Sequence, residues 1–150
     1  MAKKILVQNK KAKFDYEITE RLEAGIVLVG AEVKSVKNKN ASLAGSFVTI
    51  RNDEAWLLNM HIGAYKQANL KGYNPTRKRK LLLRKKEINF LLGKLKTKGL
   101  VIFPLSLYLK NNLIKAEIAV GRVRKKYDKR ELLKKREAER KIQRAIKETR

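Results

Sequence analysis

The chain contains no cysteine and only one histidine, His61, in 150 residues. Without cysteine there can be no disulfide, no thiolate metal ligand and no cysteine nucleophile. A single histidine also leaves no histidine-rich metal cluster. We therefore expect neither zinc nor redox chemistry, and we expect no metal or other cofactor.

Long apolar segments are missing as well. The apolar stretch near the N-terminus, Ile5 to Val7, ends after three residues, whereas a secretory signal needs more than about seven. The longer stretch at 100–109 is interrupted by Pro104 and is shorter than the roughly 18 residues of a membrane-spanning helix. We therefore expect a cytoplasmic protein without a membrane partner.

Acidic residues are scarce. There are 14 of them against 38 lysines and arginines, which gives a formal net charge of +24. The excess is largest in residues 121–150, where fourteen basic residues face five acidic ones. Self-repulsion on this scale weakens a compact fold, and a phosphate backbone relieves it. Nucleic acid is therefore the expected class of partner.

The composition predicts one folded domain followed by a basic tail. An apolar content of 43% is enough for one core of ordinary size. We place the folded domain at residues 1–121 and the tail at 122–150. Asp128 and Glu131 have the spacing of a helix N-cap and its partner, yet apolar residues are sparse in the tail. We therefore expect it to be disordered when free and helical when bound.

The hydrophobic pattern predicts mainly strands. Alternation at 14–19 and an apolar run at 25–30 are typical of strands, and 46–51 and 55–62 form a predicted hairpin with Trp56 in the core. A last pair of strands is predicted at 100–110 and 113–120. Leu105, Leu107 and Leu109 are expected on one face of the first strand, with Pro104 at an edge position or bulge.

One substantial helix is predicted at 78–98, because its leucines and isoleucine fall largely on one helical stripe and Gly99 follows them. A short helix is predicted around Val33 and Val36, and a long loop at 63–76. The expected fold is mainly β with inserted helices. A small antiparallel OB-type barrel fits this order of elements, among several small α+β arrangements.

Four carboxylates lie close together in the sequence and raise the alternative of a Mg²⁺-dependent nuclease. They are Asp15, Glu17, Glu20 and Glu23. A metal site needs carboxylates that converge in space, and this spacing does not show convergence. No histidine or lysine in the pattern marks a general acid or base. We therefore expect surface acids and no catalysis.

Two basic segments point to RNA contacts. The run Arg77 to Lys80 is followed by more cations at the predicted helix start, where positive charge opposes the helix dipole unless an anion is near. Tyr127 stands among cations without an apolar neighbour in sequence, which suits stacking on an exposed base. A ribosomal or ribosome-assembly RNA-binding protein would share both features and is the alternative interpretation.

Several motifs, in order along nearly the whole chain, resemble the family of small protein B (SmpB), the bacterial partner of transfer-messenger RNA (tmRNA) in trans-translation. They are Asn9-Lys10-Lys11-Ala12, Asp15-Tyr16, Glu23-Ala24-Gly25-Ile26, Glu32-Val33-Lys34-Ser35, Arg79-Lys80-Leu81-Leu82-Leu83, Leu105-Ser106-Leu107-Tyr108 and Tyr127-Asp128-Lys129-Arg130. The resemblance implies an OB-type barrel that binds the tRNA-like domain of tmRNA. It implies delivery to the A site of stalled ribosomes, with no catalysis and no small-molecule substrate.

The resemblance also implies residue roles. Together with adjacent residues and the basic run at 77–80, these roles give the following expected RNA-binding residues: Asn9, Lys10, Lys11, Tyr16, Glu23, Arg79, Lys80, Leu82 and Lys115. The tail is expected to occupy the empty mRNA channel, next to the decoding centre and the small-subunit rRNA, through Lys125, Lys126, Tyr127, Asp128, Lys129 and Arg130. The chain departs from the family pattern at Phe14, where many relatives have histidine, at Ala64, where proline is usual, and at Arg122-Val123-Arg124.

Overall fold

The structure is a computed structural model, and it describes residues 3–65, 72–124 and 126–148. Nine strands and four helices lie within these ranges. In chain order they are β1 (Lys4–Gln8), α1 (Lys10–Asp15), β2 (Tyr16–Ile26), α2 (Gly30–Lys37), β3 (Ala41–Ser42), β4 (Phe47–Arg51), β5 (Glu54–Leu58), β6 (His61–Ile62), β7 (Arg79–Leu82), α3 (Lys85–Leu95), β8 (Leu100–Lys110), β9 (Leu113–Val123) and α4 (Lys126–Glu148).

Seven strands form one antiparallel sheet in the order β1-β8-β9-β2-β7-β5-β4, and β3 pairs with β6 separately. Strand β4 also packs beside β8, although the described residues form no hydrogen-bonded ladder between these two strands. The sheet therefore curls into a nearly closed barrel. This confirms the predicted mainly antiparallel β fold of the OB type.

The barrel interior is built from residues that alternate along the strands. In β5, Ala55 and Leu57 are completely buried, and β8 and β9 contribute residues such as Ile102 and Ile118. A smaller cluster lies under α1, where Ala12 packs with residues of β8 and β9. Strand residues i and i+2 share one face, so the residue between Ala55 and Leu57 lies outside, whereas β8 is buried on both faces from Ile102 to Tyr108.

Several predicted elements are confirmed. The hairpin β4–β5 turns through Asn52 and Asp53, whose φ values of 51° and 59° are those of a tight hairpin turn. The last strand pair is also present, and its register shifts between Pro104 and Ser106, which is the predicted bulge. Because the ladder between β1 and β8 ends at Gln8 and Ser106, Pro104 pairs with β9 alone and also lies at a local edge of the sheet. The bulge turns Leu105 towards α1, so its predicted face is wrong.

Three other predictions are wrong. Residues 10–15 form α1, so the strand predicted from 14 begins at Tyr16 and continues as one long strand to Ile26. The predicted helix at 78–98 begins only at Lys85, because Arg79–Leu82 form β7. Trp56 lies between the buried residues of β5 and therefore faces outward. The first two errors arise because a short apolar pattern does not distinguish a helix from a strand.

The basic tail contains a helix of 23 residues, α4. Its start is held against α1, because Lys129 Nζ lies 3.2 Å from Asp15 Oδ1 and Arg136 lies over the ring of Phe14. Strand β9 extends to Val123, and the division at residue 121 and the disorder of the free tail stay predictions. No helix in the described part of the chain is long and apolar enough to cross a membrane.

Candidate nucleic-acid interface

An open groove of about 750 Å³ lies where β2, β7 and β9 meet the hairpin turn and the start of α3. Four of the predicted RNA-binding residues line it: Glu23, Lys80, Leu82 and Lys115. We call this site the Leu82 groove. Its other lining residues include Asp53, Glu54, Arg84 and Glu87, so charges of both signs surround it.

Strand register explains why residues far apart in sequence meet here. Gly25 of β2 pairs with Leu82 on one side and with Lys115 on the other. A side chain at Gly25 would place its Cβ 3.2 Å from the Cβ of Leu82, which is a tight contact. The glycine therefore leaves the floor of the groove open, and Leu82 stands above it with 55% of its surface exposed.

The carboxylate of Glu23 is fixed by its neighbours. The buried Tyr108 donates its phenolic O–H to Glu23 Oε2, and Lys110 Nζ lies 3.3 Å from the same oxygen. The Tyr108 hydrogen bond holds the pKa of Glu23 below its ordinary value of 4.5, with Lys110 and Lys3 acting in the same direction against a smaller effect of burial. Burial, and next the bond to Glu23, raise the pKa of Tyr108. Glu23 is therefore an ionised acceptor at neutral pH.

This arrangement suits a folded RNA. An exposed leucine offers an apolar surface to a base or ribose, the lysines can pair with phosphates, and a fixed carboxylate can accept a hydrogen bond from a base or a 2′-hydroxyl. The acceptor discriminates among ligands, whereas the lysines attract any phosphate backbone.

The structure places Asn9 differently from the prediction. Its side chain is 4% exposed. Its Nδ2 donates to Pro104 O at 2.9 Å and to Leu43 O at 3.2 Å, and its Oδ1 accepts from Ala12 N. The amide thus caps α1 and ties it to the barrel. Because these polar atoms are already bonded within the protein, the side chain positions α1 and is not free to contact RNA.

Arg79 also has a structural role and not the predicted phosphate contact. Its side chain is completely buried, and its Nε and Nη2 donate to Glu32 Oε2 at 2.9 Å and 2.6 Å. It donates further to Pro75 O at 3.0 Å. Glu32 accepts in addition from Arg77 and from Val29 N. The pair connects α2, β7 and the segment around Pro75, so no external phosphate reaches this guanidinium.

The other predicted N-terminal residues lie at a second site. Tyr16 is half-buried and stacks on Phe103 with their ring centroids 4.3 Å apart. Lys10 and Lys11 are exposed on α1. Asn9, Lys11 and Tyr16 all line a groove of about 560 Å³ between α1 and β4, which we call the α1 groove. The predicted residues are therefore divided between two surfaces.

The tail residues are only partly described. Lys125 lies outside the described residues. Lys126, Tyr127 and Asp128 lie in the first turn of α4, but their side chains are also outside the described part. Lys129 pairs with Asp15 as stated above, and Arg130 is exposed.

The carboxylates behind the nuclease alternative do not converge. Asp15 pairs with Lys129, Glu20 with Lys94 and Glu23 with Lys110. In the described part of the chain, no group of three or more histidine, aspartate or glutamate residues is arranged to hold a metal ion. Three of the four acids are instead separate partners of different lysines.

The sequence did not reveal the positions of two aromatic residues. Tyr108 belongs to the motif Leu105-Ser106-Leu107-Tyr108, but nothing in the sequence indicates that its strand brings it to Glu23, since β9 lies between β8 and β2. Trp56 was assigned to the core. The sequence carries no local signal for its outward position, because residues 55–58 are all apolar.

Similarity to known proteins identifies the family of the chain. The family model described as SmpB protein matches residues 6–148. The chain belongs to the SmpB family. An SsrA-binding protein of Halothermothrix orenii is 51% identical over 145 residues, covering 97% of this chain and 94% of that protein. One of Sulfurihydrogenibium sp. is 51% identical over 147 residues, covering 98% and 97%.

A solved structure also resembles this SmpB-family chain. It is described as "tmRNA-SmpB: a journey to the center of the bacterial ribosome", and it matches with a TM-score of 0.68 and 40% identity. The match covers 80% of this chain and 85% of that one. At this identity the likeness reflects family membership as well as fold.

Proposed function

We propose that this SmpB-family protein binds the tRNA-like domain of tmRNA and delivers it to the A site of stalled ribosomes for trans-translation. The observation that carries the proposal is the Leu82 groove, where register brings Glu23, Leu82 and Lys115 together. Membership of the SmpB family supports the proposal, because the relatives are SsrA-binding proteins. The formal charge of +24 supplies the long-range attraction to RNA.

Within this function, the groove residues have separate roles. Leu82 packs against a base or ribose, and Lys115 and Lys80 pair with phosphates. Glu23 accepts a hydrogen bond that only a suitably placed donor in the RNA can make. Lys10, Lys11 and Tyr16 form a second contact surface at the α1 groove, which Asn9 positions by capping α1.

The tail serves the ribosome and not the initial RNA contact. We propose that Lys125, Lys126, Tyr127, Asp128, Lys129 and Arg130 begin a segment that enters the empty mRNA channel. Its cations pair there with small-subunit rRNA, and Tyr127 can stack on a base. The protein acts as a non-catalytic adaptor in the cytoplasm.

A gel-shift titration tests RNA recognition. Labelled tRNA-like domain of tmRNA is titrated with the full chain at moderate salt, with ordinary tRNA as competitor. We expect tmRNA to be bound in preference, because the Glu23 acceptor responds to particular donors and the lysines do not. Equal affinity for both RNAs would refute the proposed specificity.

A truncated chain tests the tail. Removal of residues from Lys125 onward should leave RNA binding intact and abolish rescue of stalled ribosomes in a reconstituted translation system. Rescue by the truncated chain would contradict the tail's role. Recovery of the full chain in stoichiometric amounts from actively translating ribosomes would favour the ribosomal-protein alternative instead.

A further inference from the structure

The only tryptophan of the chain, Trp56, lies on the outer face of the barrel. Its neighbours Ala55 and Leu57 are completely buried, and successive residues of a strand point to opposite faces. Trp56 is therefore directed away from the core, and it is only partly covered. A large aromatic ring in this position loses part of the stabilisation that it would gain in the core.

Polar and cationic residues surround the ring. Trp56 pairs with Thr49 of β4 on one side and with Lys80 of β7 on the other. Lys78 places its Nζ 4.6 Å from the centre of the ring. Two residues along the same pair of strands, Phe47 pairs with Leu58 and is 42% exposed. We call these residues the Trp56 face.

The Trp56 face is continuous with the Leu82 groove. Lys80 belongs to both, because it pairs with Trp56 and also lines the groove next to Leu82. An RNA held in the groove therefore has its next nucleotides within reach of the ring. Aromatic rings beside a row of cations are the combination with which proteins bind unpaired nucleotides, since the ring stacks on the base and the cations hold the phosphates.

We propose that the Trp56 face is a stacking site for an unpaired nucleotide of the RNA that occupies the Leu82 groove. Trp56 stacks on the base, and Lys78 and Lys80 pair with the flanking phosphates. This site rests on the proposed function, because the groove must first hold the RNA.

Both lysines can move to phosphates at little cost. Lys78 is exposed, and water weakens the attraction between an exposed ammonium and a ring. Lys80 is 3.5 Å from Glu54, and both side chains are more than 40% exposed, so this ion pair is also weak. When RNA binds, Lys78 moves off the ring of Trp56 and the base stacks there in its place. Lys78 remains close enough to neutralise the adjoining phosphate.

Fluorescence of the unmodified full chain tests the site directly, because Trp56 is its only tryptophan. The chain is titrated with a transcript of the tRNA-like domain of tmRNA, and a gel shift on the same samples measures occupancy. We expect saturable quenching of Trp56 emission that follows occupancy, and reduced quenching by added acrylamide. Occupancy without any change in emission or acrylamide access would overturn the site while leaving the proposed function intact.

Variants of Trp56 distinguish stacking on its ring from a change in emission caused by RNA bound elsewhere on the protein. Trp56→Leu should weaken RNA binding about tenfold, and Trp56→Phe should restore most of the affinity, because a phenyl ring still stacks. The matched control is Phe90→Leu. Phe90 is 40% exposed on α3 and also has a lysine, Lys94, over its ring, but it does not line the groove.

The outcomes distinguish the two proposals. Wild-type affinity in Trp56→Leu with native circular dichroism would overturn the stacking site, as would equal losses in Trp56→Leu and Phe90→Leu. Emission that ignores the transcript but changes on addition of RNA-free ribosomal proteins would assign the face to a protein partner and also overturn it. Absence of any gel shift with wild-type protein would instead refute the proposed function.

Discussion

The buried phenol of Tyr108 donates a hydrogen bond to the carboxylate of Glu23 across an intervening strand. The tyrosine is 1% exposed, so packing in the core fixes its position. Its hydrogen bond in turn fixes the position of the Glu23 carboxylate at the surface. A hydrogen-bonded carboxylate keeps one orientation, and an RNA donor can then be recognised by its position.

Tyr108→Phe tests this positioning. The ring stays packed, but the carboxylate loses its buried donor and keeps the exposed donor Lys110, so its orientation is less fixed and tmRNA affinity should fall about three- to tenfold. The control is Tyr73→Phe, which also removes one hydroxyl, bonded to Ile62 O at 2.9 Å, away from the groove. A gel shift should show the loss only in Tyr108→Phe, and identical affinities for both variants would contradict it.

The salt dependence of binding separates the groove residues. Lys115→Ala should weaken binding and lower the slope of log affinity against log salt concentration by about 1, because one phosphate contact is lost. Leu82→Ala should weaken binding without changing that slope, because an apolar contact releases no counterion. Leu113→Ala, which removes a leucine that is 60% exposed at the β8–β9 turn, is the control. A slope change in Leu82→Ala would argue against its apolar role.

Arg79 should matter for folding and not for direct RNA contact. Arg79→Ala leaves the buried Glu32 carboxylate with one fewer partner and should cost about 3–5 kcal/mol of unfolding free energy. Arg77→Ala removes a partly exposed partner of the same carboxylate and should cost about 1 kcal/mol. Urea denaturation measures both. A stable Arg79→Ala variant with lost RNA binding would show that the arginine touches RNA.

The lowered pKa of Glu32 predicts the pH range in which acid destabilises the fold. Burial would raise its pKa, but hydrogen bonds from Arg77, Val29 N and Arg79 outweigh burial and hold the pKa below 4.5. Since the pKa is lower in the folded state, the stabilisation is complete above 4.5 and is lost as the pH falls through the folded value.

The measurement for Glu32 is the urea midpoint between pH 6 and pH 3. Wild-type protein should lose stability most steeply below pH 4.5. Glu32→Gln should be less stable than wild type at pH 6 and should lose less over the same range, because it has no carboxyl to protonate at this position. Parallel curves for the two proteins would show that other acids control acid unfolding.

Much of the fold was predictable because local patterns decide it. The Asn52-Asp53 turn and the pair β8 and β9 follow from turn residues and from alternation within a few positions. The short helix α2 follows from the three-residue spacing of Val33 and Val36. The spacing of Asp128 and Glu131 indicated a helix in the basic tail, but α4 begins at Lys126, so Asp128 lies within its first turn and is not its N-cap.

The interface was less predictable because burial and pairing decide it. Arg79 lies in a run of cations that looks solvent-exposed, yet the alternation of β7 places it inside, against Glu32. Nothing local distinguishes it from Lys80, which lies outside. Likewise, Leu82 and Lys115 meet only because both pair with Gly25, a long-range register that one sequence does not reveal.

The anchoring of α4 near its start has a geometric consequence. Arg136 still contacts Phe14 of α1, and α4 continues to Glu148, twelve residues further. At about 1.5 Å per residue, this segment extends about 18 Å from its last named anchor. Each residue deleted from it shortens the segment by one fixed step, so helix length sets the distance between the Phe14 contact and the last residues of α4.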